Sequence, residues 1–151
     1  MRRLVSTGVL VAAGLLVSTG LSADKPAPAS KSVKLAADDG VVATSGAVVK
    51  DGSALKVDVI AYKHGDGLDL KGGRTGTTHQ PLHKFGLSQK FAALKDVPCT
   101  APEDKEKNAF LSKAKAGQGF TVKGNKSAGV YKVWVKSVKD GKATLEYQKC
   151  P

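Results

Sequence analysis

Arginine almost disappears from this chain after its first three residues. Beyond Arg2 and Arg3 only Arg74 remains, against 21 lysines. Lysine is a hydrated point charge, whereas specific phosphate and base recognition favours the planar guanidinium fork. The scarcity therefore speaks against sequence-specific nucleic-acid binding. The patterns that announce a reaction are also missing. The chain has no serine elbow, no P-loop, no glutamate after His79 to make a zinc-protease pair, and no paired carboxylates that stand out. Neither Cys99 nor Cys150 lies in a C-x-x-C or papain-like context, and no cofactor pattern occurs.

What is present begins with an export signal. Arg2 and Arg3 form a positive start, Leu4 to Val17 carries no charge, and Leu21-Ser22-Ala23 precedes Asp24. Ser6, Thr7, Gly8, Gly14, Ser18 and Thr19 interrupt the run, whose span of at most about 20 residues is marginal for crossing a bilayer. No cysteine follows it, which argues against a lipid-anchored product. The expectation is a cleaved signal over 1–23 and a flexible leader over 24–36, which opens with Pro, Ala, Ser and Lys. One globular domain follows over 37–151, secreted or periplasmic, with no stable membrane span after cleavage.

Charge is uneven along the remainder. Residues 24–104 carry 11 basic and 10 acidic groups, whereas 105–151 carry 11 lysines against Glu106, Asp140 and Glu146, a net +8. Such a field attracts anionic polymers or acidic proteins. Two cysteines in an exported chain read as one disulfide, Cys99 with Cys150. Loop-closure entropy gives that bridge roughly 4 kcal/mol.

The periodicities predict an α+β fold: a small antiparallel sheet or open barrel of about five strands in two hairpins, with two short helices. Val41–Thr44 and Gly46–Val49 read as one strand with a bulge at Ser45-Gly46, paired with a strand over 54–63. The glycine-rich stretch 64–86 reads as a long connection. Leu87, Phe91 and Leu94 predict a helix near 88–95. Thr100 with Glu103 fits a capping box for another over about 101–115. Strands follow at 119–123, 129–138 and 143–149, the last two joined through Asp140-Gly141. Gly129 and Tyr131 resemble the tyrosine corner of immunoglobulin-like sandwiches, although the usual strand tryptophan and inter-sheet cysteine pair are absent.

Two candidate sites follow. A three-residue turn at 139–141 would set Val133 and Val135 inward and leave Lys132, Trp134 and Lys136 beside Glu146 on a wet face, a stacking platform in a positive field. A two-residue turn would put Trp134 in the core instead. The second candidate is a zinc or copper site from His64, His79 and His83, with Asp66 and Asp69 available. The leading expectation is an exported, non-enzymatic binding protein for an anionic or protein partner at the envelope or outside the cell, a class that includes inhibitor and immunity proteins. The alternatives are a secreted basic hydrolase, such as a ribonuclease using His64, His79, His83 and Arg74, or a metal-binding exported protein.

Overall fold

Apolar side chains alternate along the longer strands, such as Val33 and Leu35 or Tyr131, Val133 and Val135. The regular structure of the described residues is β apart from three 3₁₀ turns. The computed structural model describes residues 28–50, 54–86 and 88–151. The segments expected to be an export signal (1–23) and the first residues of a leader (24–27) lie outside them. The strands are β1 (Lys31–Ala36), β2 (Gly40–Val42), β3 (Ala47–Val49), β4 (Val59–His64), β5 (Gly67–Gly72), β6 (Arg74–Thr75), β7 (Thr78–His79), β8 (Leu82–Lys84), β9 (Phe110–Leu111), β10 (Gly119–Lys123), β11 (Val130–Lys139) and β12 (Lys142–Lys149). One sheet runs β1-β12-β11-β10-β8 and a second β3-β2-β4-β5-β9, while β6 and β7 form a ribbon. All pairings are antiparallel. No helix among the described residues is long and apolar enough to cross a membrane.

The two sheets share one core. Val33, Leu35, Phe120, Val133, Val135 and Leu145 from the first meet Val41, Val59, Ala61, Leu68 and Leu70 from the second. Burial of these side chains, about 1.5–3 kcal/mol for each Val, Leu or Phe, is the main force holding the layers together. The disulfide between Cys99 and Cys150 is formed.

The β11–β12 hairpin combines the two registers its sequence allows. Its tip is the two-residue turn, with Asp140 and Gly141 both at positive φ (51° and 67°) and Lys139 opposite Lys142. A bulge between Val135 and Ser137 then shifts the register by one, so that Val135 faces Leu145 and Val133 faces Tyr147. Trp134 is thereby returned to the outer face.

Several expectations are corrected. The two helices are absent: the described residues contain only 3₁₀ turns, at Ala54–Lys56, Leu94–Asp96 and Asp104–Glu106. Phe91, Leu94 and Val97 are buried, as a helical stripe would be, but they belong to a strap that crosses the outer face of the first sheet. Leu87 lies outside the described residues. In the second segment, partners distant in sequence replace the intrahelical ones. The Asn108 amide oxygen accepts the His79 N–H (2.8 Å), and Asn108 and Lys113 adopt positive φ. The expected single strand over 41–49 is folded into a β2–β3 hairpin at Gly46, and of the strand expected over 54–63 only 59–63 is extended, as part of β4. Residues 64–86 hold four strands rather than an irregular connection, and residues 31–36 of the expected leader are β1, with Val33 and Leu35 inward.

Candidate functional site: a cationic cleft beside two aromatic rings

Two side chains knot three distant segments together at one end of the molecule. Asp58 is fully buried. Its Oδ1 accepts the N–H groups of Asn125 (2.7 Å), Lys126 (2.6 Å) and Ser127 (2.9 Å). Its Oδ2 accepts the Ala43 N–H (2.8 Å) and the Ser127 hydroxyl (2.5 Å). A buried carboxylate requires such replacement of its water shell. Asn125 turns its amide onto the carbonyls of Val57 (3.2 Å) and Arg74 (2.9 Å), and its Oδ1 accepts the Thr75 hydroxyl (3.0 Å). Close approach of the chains depends on Gly73, where a Cβ would stand 1.8 Å from the Val57 carbonyl oxygen.

This knot fixes the β6–β7 ribbon against the β10–β11 loop. Between them and the 104–107 segment lies a cleft of about 460 Å³, lined by Thr75, Thr78, His79, Gln80, Asp104, Lys107 and Lys123. Lys107 lies 3.7 Å from Asp104. Lys123 has no carboxylate partner among the described residues, nor has Lys126 on the adjoining loop. Arg74, on the ribbon, holds the Gly76 carbonyl through Nε (3.1 Å).

Beside the cleft, the outer face of the second sheet carries Lys71 opposite Phe110. The Lys71 ammonium stands 4.9 Å from the Phe110 ring centroid and 5.1 Å from that of Tyr62. Each such contact is worth about 0.5–1 kcal/mol at an exposed site. Burial pushes the Tyr62 phenol pKa up against the opposing pull of Arg74. His79 meets Tyr62 edge-on at 5.9 Å and so joins ledge to cleft. Its Nδ1–H donates to the Gly72 carbonyl (2.6 Å), which leaves the lone pair on Nε2. Burial holds its pKa below the usual imidazole range, and Lys71 and Arg74 add to the effect. His79 is therefore neutral at pH 7.

The three histidines are not brought together. His64 Nδ1–H donates to both Asp69 oxygens (2.9 Å each), and His83 Nδ1–H donates to Glu106 Oε1 (2.7 Å). Asp66 faces Lys113 at 3.9 Å. No group of three or more His, Cys, Asp or Glu side chains able to hold a metal occurs among the described residues. Only His79 lines the cleft.

Lys132, Trp134, Lys136 and Glu146 do share the outer face of the first sheet, with Trp134 opposite Glu146. Their polar groups are already engaged. Lys136 Nζ donates to Glu146 Oε1 (2.8 Å), Lys132 Nζ reaches the Lys95 carbonyl (3.4 Å), and the half-buried indole donates to the Phe91 carbonyl (3.0 Å). The indole fastens the strap.

Sequence reasoning passed over Tyr62, Lys71, Phe110, Lys107 and Lys123. The available signal was the alternation Gly67-Leu68-Asp69-Leu70-Lys71-Gly72, which marks β5 and puts Lys71 opposite in sense to Leu68 and Leu70. No protein-family model, no curated protein and no solved structure matches this chain, so the site is read from its geometry.

Proposed function

We propose that this is an exported binding protein, not an enzyme, that holds an anionic polymer in the cleft between the β6–β7 ribbon and the β10–β11 loop. The observation that carries this reading is a cleft lined by Lys107, which also meets the lining Asp104 at 3.7 Å, and by Lys123, which has no carboxylate partner among the described residues. Its walls offer threonine hydroxyls and the Gln80 amide, while Arg74 lies next in the chain to the lining Thr75 and Lys126 on the adjoining loop. The carboxylate of Asp58 is buried and its oxygens are occupied by five donors, so it faces inward, and the one carboxylate among the lining residues, Asp104, is partnered by Lys107. The signal read at 1–23 and the +8 balance of 105–151 support the same reading. Lysines that point into water suit a charged chain held by many weak contacts better than a single shaped anion. The hydrolase alternative needs two proton-transfer groups about one scissile bond; the cleft offers His79 and Asp104, and the latter is paired with Lys107 at 3.7 Å.

The test is a titration of the protein lacking 1–23 with heparin at low and high salt. The expected result is a saturable complex that weakens steeply as salt rises. Lys107→Ala with Lys123→Ala should weaken it about tenfold and lower the salt slope by about two. Lys132→Ala with Lys136→Ala, on the other sheet, should change neither. Loss through the Lys132 pair alone would move the site to the Trp134 face. The absence of any salt-dependent complex would overturn the reading in favour of a protein partner.

A further inference from the structure

We infer that the polymer is a polyuronate, and that Tyr62, Lys71 and Phe110 form a subsite for one hexuronate ring. The inference rests on the binding reading above and names its ligand. Lys71 is a half-buried cation with no carboxylate partner among the described residues. The nearest carboxylate along its own strand, Asp69, is held by His64 and the Lys113 N–H (2.9 Å). Its ammonium is instead placed against two aromatic rings, at 4.9 Å and 5.1 Å from their centroids. Phe110, on the two-residue edge strand β9, remains 37% exposed, an unusual position for a phenyl ring beside a charge.

A ligand that satisfies both groups must present an apolar face and an anion on the same small body. A hexuronate does so: its axial C–H groups make one apolar face, and its carboxylate is bonded directly to the pyranose ring. A nucleotide separates the stacking base from its phosphate by a ribose. Polyphosphate and glycerol-phosphate polymers have no apolar face. The ledge is also continuous with the cleft. His79 touches Tyr62 edge-on and lines the cleft, and its neutral Nε2 is an acceptor suited to a sugar hydroxyl. Beyond it, Thr75, Thr78 and Gln80 offer further partners for hydroxyl groups, while Lys123 awaits the next carboxylate along the chain and Lys107 would share another with Asp104. A volume of about 460 Å³ is within the range of small-ligand pockets.

Polygalacturonate, dextran sulfate and single-stranded RNA are titrated in parallel against wild type, Phe110→Ala and Lys71→Gln, with thermal unfolding to verify that the variants fold. Polygalacturonate should hold on at a salt concentration that releases RNA, and Phe110→Ala should weaken it about tenfold while changing the affinity for dextran sulfate, which has no uronate, less than about twofold. If all three polymers bind alike and Phe110→Ala alters none, the uronate assignment falls and the anionic-polymer reading stands. If RNA is preferred and depends on Phe110, the ledge stacks bases and the assignment is overturned. If no polymer binds, both fall.

Discussion

Asp58 gathers five donors from two loops, four of them backbone N–H groups, and the bonds from Ala43 and Ser127 are buried. Replacing it by asparagine preserves its volume but presents an NH₂ group to those donors. Asp58→Asn is therefore expected to destabilise the fold by about 3–5 kcal/mol, the range for a broken buried charged network. Urea unfolding measures this directly, and a loss below about 1 kcal/mol would show that the loops find other partners. Because the same side chain positions Lys126 and, through Asn125, the Arg74 ribbon, the variant should also lose polymer affinity under conditions where it remains folded.

Among the elements, the strap over the first sheet depends on a missing side chain. A Cβ at Gly119 would sit 2.7 Å from Val97 Cγ2 and 2.8 Å from Phe91 Cδ2, on the face that Trp134 shares. Gly119→Ala should displace the strap, cost about 1–3 kcal/mol and shift Trp134 emission to the red as the indole gains water. An unchanged spectrum with unchanged stability would show that Phe91 simply turns aside. The last three strands were legible beforehand, because Tyr131-Val133-Val135 and Ala143-Leu145-Tyr147 alternate cleanly about an Asp-Gly turn. The bulge was not, because the Lys136 position carries no residue that demands one. The helix expected near 88–95 failed because Phe91 and Leu94 satisfy helical spacing and are equally satisfied by a strap with one turn. Of the candidate site, His79 and Arg74 were named in advance. Lys71 and Phe110 were not, because periodicity reveals faces but not which strands become neighbours, and these two meet only through the β5–β9 pairing.

At the scale of the whole molecule, several groups respond to acid with one sign. Burial alone would raise the carboxyl pKa values of Asp39, Asp69 and Glu106. Hydrogen bonds outweigh it: from Lys50 and the Ala36 N–H to Asp39, from the Lys113 N–H and His64 to Asp69, and from the Glu103 N–H and His83 to Glu106. All three therefore titrate below the ordinary carboxylate range, and His79 titrates below the ordinary imidazole range. In each case the unfolded chain binds its proton first, so stability is full above the unfolded pKa and falls with pH. Urea midpoints should stay level above about pH 7, decline modestly below about 6.5 as unfolded His79 charges, and decline again below about 4. His79→Gln should remove the first decline and leave the second; a midpoint that rises on acidification would contradict all four assignments.

The partnership of β1 with β12 governs the order of assembly. Ala36 lies opposite Lys142, so the first sheet is complete only after a loop of more than a hundred residues has closed. Local hairpins such as β11–β12 and β4–β5 can form early, but this closure loses chain entropy that no neighbouring turn offsets. Folding is accordingly expected in the slow regime of non-local β proteins, milliseconds to seconds. Until β1 arrives, the outer edge of β12 is an unpaired strand eight residues long, open to any other extended chain that reaches it first.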